Sequence, residues 1–105
     1  MDNGFIMIFI TAKDVAEAEM ISQTLVKRKK AACVNIVRDV SSSFWWRGEI
    51  DSANETLLIV KTKTSLLEDL VNLVKSIHSY GVPEIIALPI VGGSPDYLKW
   101  LEQTI

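Results

Sequence analysis

Residues that most often carry chemistry are scarce in this chain. Its 105 residues include one cysteine, Cys33, and one histidine, His78. A single thiol excludes an intramolecular disulfide framework, and a lone imidazole leaves little for acid–base catalysis. Glycine and proline number five and three, too few for a flexible linker or a low-complexity tract. No apolar run reaches the roughly 18 residues needed to cross a bilayer. Residues 5–10 are apolar, but no basic region precedes them and no small-residue cleavage site follows, so they do not read as a signal peptide. Charge of one sign is missing too: 11 Lys and Arg face 13 Asp and Glu, and the pI is near 5.3. That balance lacks the basic footprint of a duplex-binding protein. Together these absences predict a soluble, cytoplasmic chain with no nucleic-acid or membrane partner.

What is present is apolar. Hydrophobic residues make up 49% of the chain, and its mean hydropathy is +0.24. The length predicts one domain over residues 1–105. A domain of this size buries about two-thirds of its unfolded surface, so association with copies of itself would help to cover the remainder.

Residues 4–11 (GFIMIFIT) form a continuous apolar run suited to a central strand. Asp14 with Glu17 then has capping-box spacing, and Val15, Ala18, Ile21, Ser22, Leu25 and Val26 mark a helical stripe. The basic run 27–30 reads as a solvated helix end, where the helix dipole favours positive charge. Residues 31–40 begin a second strand, 41–43 (SSS) interrupt it, and 44–50 (FWWRGEI) resume it with a bend at Gly48. A turn is expected at 51–54 and a strand at 55–62. Ser65 with Glu68 repeats the capping signal before a second helix with Leu67, Leu70, Val71, Val74 and Ile77 inside, stopped by Gly81 and Pro83. Residues 84–91 (EIIALPIV) form the last strand, which Pro89 places at an edge or bulge. Ser94 and Pro95 open a terminal helix.

The order is β-α-β, β-α-β plus a helix: an α+β, ferredoxin-like split βαβ sandwich with two helices on one face of an antiparallel sheet and an extra C-terminal helix. The other face needs cover. Val34, Ile36, Phe44, Trp45 and Trp46 carry more apolar mass than two helices can shield, which predicts an oligomer. Trp and Tyr dominate interface energetics, so Phe44, Trp45 and Trp46 are assigned to subunit packing rather than to base stacking, which would need a basic groove beside them.

Several segments carry a family resemblance: 31–36 (AACVNI), Trp46-x-Gly48-x-Ile50, Lys61-Thr62, His78-x-Tyr80-x-x-Pro83-Glu84-Ile85-Ile86-Ala87-Leu88-Pro89, and Tyr97-Leu98-x-Trp100. In this order and spacing the chain resembles the CutA divalent-cation tolerance family. The resemblance implies a homotrimer built like the PII signalling proteins, with long hairpins paired between subunits. It also implies a role in the response to copper and other divalent cations, and a candidate metal site at Cys33 and His78.

Sulfur and nitrogen donors suit copper or zinc, but a closed site needs about four ligands. One chain offers these two plus carboxylates such as Glu49, Asp51 or Glu84, so copies would have to share a site. The other reading makes Cys33 a small, inert core residue. Residues 78–84 (HSYGVPE) lie where a helix passes into a strand. Tyr80, Glu84 and Lys61 form either a helix stop with an ion pair or a polar ligand pocket at a subunit junction. Catalysis has no support: there is no Ser–His–Asp order, carboxylate pair or phosphate loop, and the chain reads as a non-enzyme with no organic cofactor. Two functions follow: a trimer that binds copper-type divalent cations weakly, or a PII-like regulatory or scaffolding trimer that takes a small ligand or protein partner at intersubunit clefts.

Overall fold

A computed structural model describes residues 4–105; residues 1–3 of the expected domain lie outside the described residues. β1 spans Phe5–Ala12 and α1 spans Val15–Lys27. β2 (Cys33–Trp46) and β3 (Glu49–Lys63) form a long hairpin. A tight helical turn over Thr64–Leu66 leads into α2 (Leu67–Ile77), then β4 (Ile85–Pro89) and α3 (Pro95–Thr104) follow. The strands form one antiparallel sheet in the order β2-β3-β1-β4. This is the expected split βαβ arrangement.

Alternation divides the sheet into two faces. Ile6, Ile8 and Ile10 of β1 and Leu58 and Val60 of β3 meet Ala18, Ile21 and Leu25 of α1 and Leu70 and Val74 of α2 in the main core. The opposite face is covered only at one end, where Leu98 and Leu101 of α3 pack with Phe5, Ala32 and Ile90. Lys63 ties that helix down by donating to the carbonyl of Glu102 at 3.1 Å.

The helix ends are built from local polar contacts. Asp14 caps α1 by accepting the Glu17 N–H at 2.8 Å, as expected. Past the other end of α1, the N–H of Lys29 donates to Val26 and that of Lys30 to Leu25, with Lys29 in the left-handed region at φ 59. Lys30 lies 3.4 Å from Asp69, so the basic run closes a helix and meets α2. Ser65 does not cap α2. The tight turn carries the chain into the helix instead, and no side chain caps it. Pro89 ends β4, which is an edge strand.

The hairpin departs most from expectation. Residues 41–43 do not interrupt β2, and 51–54 are strand rather than turn: Ser41 pairs with Asn54 and Phe44 with Asp51. The reversal is at Arg47 and Gly48, between paired Trp46 and Glu49, with φ values of 52 and 82. Two positive φ angles in a two-residue loop match the twist of a hairpin. The irregularity in β2 falls earlier, between Val37 and Val40, with Asp39 at φ 58. This bulge inserts one extra residue, so Ser42, Phe44 and Trp46 join the face carrying Cys33 and Asn35.

Candidate functional site

β1 stops at Ala12, opposite Thr56, while β3 continues its pairing with β2 out to the turn. Residues 78–84, joining α2 to β4, fill the place beside β3 where β1 ends. His78 anchors this connection. Its side chain is 0% exposed. Its Nε2 lies 2.8 Å from the Thr11 carbonyl oxygen, and its Nδ1 accepts the Tyr80 N–H at 3.0 Å. An acceptor at Nδ1 requires the proton on Nε2, which then donates to Thr11. Glu17 holds the same connection from the helix side by accepting the N–H groups of Ser79 at 2.8 Å and Lys13 at 3.1 Å. Burial raises the pKa of Glu17, but the hydrogen bonds from Ser79 and Lys13 outweigh it and leave the carboxyl below its ordinary value.

Between this connection and the hairpin lies an open groove of about 710 Å³. Its floor is one face of the ribbon, with Ser42, Phe44 and Trp46 from β2 and Asp51, Ala53 and Glu55 from β3. Tyr80, Gly81, Val82 and Glu84 form the far wall, with Thr11 at the inner end. The Tyr80 hydroxyl donates to Glu55 Oε2 at 2.8 Å. Burial first, then the Glu55 hydrogen bond and charge, push the Tyr80 phenol up to about 12, so it remains a donor.

The structure brings together Tyr80 and Glu84, and sets Phe44 and Trp46 opposite them. Lys61 is elsewhere. It donates to Asn35 Oδ1 and stands opposite Cys33, several residues down β3 from the groove. The expected approach of Lys61 to Glu84 is therefore corrected by the register. Cys33 and His78 are also apart within the chain: Cys33 shares a row with Lys61 and Met7, whereas His78 bonds Thr11. Four residues of β1 separate those rows, about 13 Å. Both His78 nitrogens are engaged, so this imidazole offers no free donor to a metal. Cys33 is half-buried beside Tyr97, whose phenol is pushed up by burial first and then by this neighbouring thiol. Trp45 points to the other face of the ribbon, 72% exposed, opposite Ile50.

Sequence reasoning missed the role of Glu55 in the groove and the reach of Glu17 to residue 79. For Glu55 a signal existed: once residues 51–55 are strand, Asp51, Ala53 and Glu55 fall on one face. Among the described residues, no three His, Cys, Asp or Glu side chains converge as a metal-holding group, and no helix is long and apolar enough to cross a membrane.

The sequence pattern of the CutA1 divalent ion tolerance protein family matches residues 6–104. The chain belongs to this family. Among its relatives, the protein named "Protein CutA, chloroplastic" of Arabidopsis thaliana is 44% identical over 94% of the chain. The chain spans about half the length of that relative, 54%. The divalent-cation tolerance protein CutA of Archaeoglobus fulgidus is 43% identical over 93% of the chain and 95% of its own length. The crystal structure of CutA1 from Oryza sativa superposes with a TM-score of 0.93 at 42% identity, covering 95% of this chain and 92% of the other. For the Archaeoglobus structure the TM-score is 0.92 at 42% identity, covering 95% and 97%. Family names are those of tolerance proteins.

One expectation is overturned by these relatives. The Arabidopsis protein is named chloroplastic and the Archaeoglobus structure is of a protein called periplasmic, so the cytoplasmic assignment does not stand. The residues of a folded domain meet no compartment-specific requirement here, and balanced charge with one cysteine suits more than one address.

Proposed function

We propose that the chain, as one domain over residues 1–105, acts without catalysis as a homotrimeric divalent-cation tolerance protein that holds copper-type cations weakly through Cys33. The supporting observation is the placement of this half-buried thiol on the sheet face that α1 and α2 leave open. A thiolate is a soft donor suited to copper or zinc. Because no three-donor group converges in one chain among the described residues, the remaining ligands would come from copies meeting on that face. His78 could join only by giving up a hydrogen bond, and its place in this reading is structural.

Titration calorimetry with copper under anaerobic conditions tests the reading. Cys33→Ser is expected to weaken binding by about tenfold or more, equivalent to the loss of one good ligand. His78→Ala should retain affinity while losing roughly 2–4 kcal/mol of stability, since it empties a buried site and orphans two backbone groups. Unchanged affinity in Cys33→Ser would sink the proposal. Loss of copper binding by a folded His78→Ala protein would return the imidazole to the site.

The groove favours a second reading: a PII-like regulatory or scaffolding trimer whose ligand is a small molecule. Its volume of about 710 Å³ is that of a small-molecule site rather than a bare ion's.

A further inference from the structure

We propose that His78 is a proton-operated latch on the connection between α2 and β4. While the imidazole is neutral, it holds residues 79–82 in place; when it takes a second proton, Nδ1 passes from the Tyr80 N–H to Glu17 and releases them. This device in the fold goes beyond both functional readings.

Side chains are what hold the connection. Among the described residues, the backbone groups of 79–82 make no hydrogen bond to other backbone groups. Instead the Ser79 N–H donates to Glu17 Oε2 at 2.8 Å, the Tyr80 N–H to His78 Nδ1 at 3.0 Å, and the Tyr80 hydroxyl to Glu55 Oε2 at 2.8 Å. The middle bond exists in one charge state only. Nδ1 accepts while it is bare; once it carries a proton, two donors face each other. Glu17 Oε1 stands 3.9 Å from the same nitrogen. A closure of about 1 Å brings the pair to the length of a charge-assisted hydrogen bond, ~2.8 Å. Nε2 keeps its donation to the Thr11 carbonyl in both states. The ring thus has a fixed partner on one side and a choice of partner on the other.

The groups around the ring are acidic or neutral. Glu17 faces it from α1. Burial raises the pKa of that carboxyl, but the hydrogen bonds from Ser79 and Lys13 hold it below the ordinary 4.5, so it is charged in mild acid. Tyr80 faces the ring from the connection, its centroid 4.9 Å away. Burial first, then Glu55, push its phenol up to about 12, so it stays neutral. Glu55 of β3 stands behind Tyr80, Asp14 at the start of α1 acts on the same phenol, and β1 presents the uncharged Thr11. Histidine is the side chain that ordinarily changes charge between about pH 5 and 8. The row of Cys33, the proposed metal donor, is four residues of β1 away, about 13 Å, so the latch is separate from that site.

The test follows the full chain in its native assembly by NMR from pH about 8 to about 5. Long-range nitrogen–proton spectra should show the His78 ring passing from the Nε2-protonated form to the imidazolium. The Ser79 and Tyr80 amides should shift with the same midpoint. Tyr80 should also lose about tenfold or more of its hydrogen-exchange protection, while Ile21 in the core stays protected. Glu17→Gln, which removes the charge, should move the transition to lower pH. His78→Asn, which offers an acceptor and cannot take a proton, should leave the Tyr80 amide indifferent to pH. A ring that stays neutral throughout, a ring that titrates while the Tyr80 amide stands still, or the same Tyr80 response in His78→Asn would each overturn the proposal. The first two are read in the native chain and decide the matter even if His78→Asn does not fold.

Discussion

Glu17 accepts N–H groups from Lys13 and from Ser79, so one carboxylate joins the start of α1 to the connection that walls the groove. Burial works against its charge, but the hydrogen bonds from Ser79 and Lys13 prevail and lower its pKa from the ordinary 4.5. A carboxyl with a lowered folded pKa contributes stability that is full above 4.5 and is lost as pH falls toward and through the folded value. Thermal melts between neutral pH and pH about 3 should therefore show a steep acid limb in the native chain and a shallower one in Glu17→Gln, which starts from a lower neutral stability. Parallel limbs would mean that Glu17 does not carry this linkage. The sequence made part of this legible. Asp14 and Glu17 have capping spacing, and the cap forms, but the second oxygen of Glu17 bonds a residue 62 positions away. Local spacing cannot encode that partner. His78 is a similar case, since its recognition as a lone imidazole says nothing about the Thr11 carbonyl that occupies its Nε2.

The hairpin shows how a segment can be assigned to the wrong element while its residues are correctly noticed. Asp51-Ser52-Ala53-Asn54 has turn composition, yet it is paired along its length with β2. Pairing partners, not intrinsic preference, decide strand formation in a ribbon this long. Gly48 reads as a bend from the sequence, and it supplies one of the positive φ angles of the turn. Replacing it with alanine meets no atom within 4 Å, so the cost is conformational alone. Gly48→Ala is expected to lower stability by about 1 kcal/mol in urea denaturation at fixed protein concentration. Gly81→Ala provides the control, because its added Cβ also meets open space and its φ is not positive. It should change stability by less than about 0.5 kcal/mol. Equal effects would place the reversal somewhere other than Arg47–Gly48. Helix α2 and edge strand β4 were legible because apolar spacing and Pro89 act within the element itself.

At the scale of the whole molecule, the division of the sheet into two faces is the feature the sequence foretold most directly. Continuous apolar strands implied cover on both sides, and the fold supplies α1 and α2 on one side but only α3 at one end of the other. Ile86 and Leu88 of β4 remain exposed on the uncovered side, and on the opposite face of the ribbon, beyond the reach of α1 and α2, Trp45 and Ile50 stand directly opposite each other, 72% and 71% exposed. An exposed apolar stretch of this kind marks an interaction surface. The proposed trimer gives Trp45 a definite energetic signature. In an isolated chain, truncating an indole that is already mostly in water changes stability by under about 0.5 kcal/mol. In an assembly that covers it, the same truncation removes an interface aromatic and costs about 2 kcal/mol or more. Association also ties stability to protein concentration, because copies bind the folded chain and not the unfolded one. Melting temperature measured across a dilution series should thus rise with concentration in the native protein and fall at every concentration in Trp45→Ala. A melting temperature that ignores both dilution and the substitution would mean that Trp45 and its face of the ribbon stand in solvent with no copy upon them.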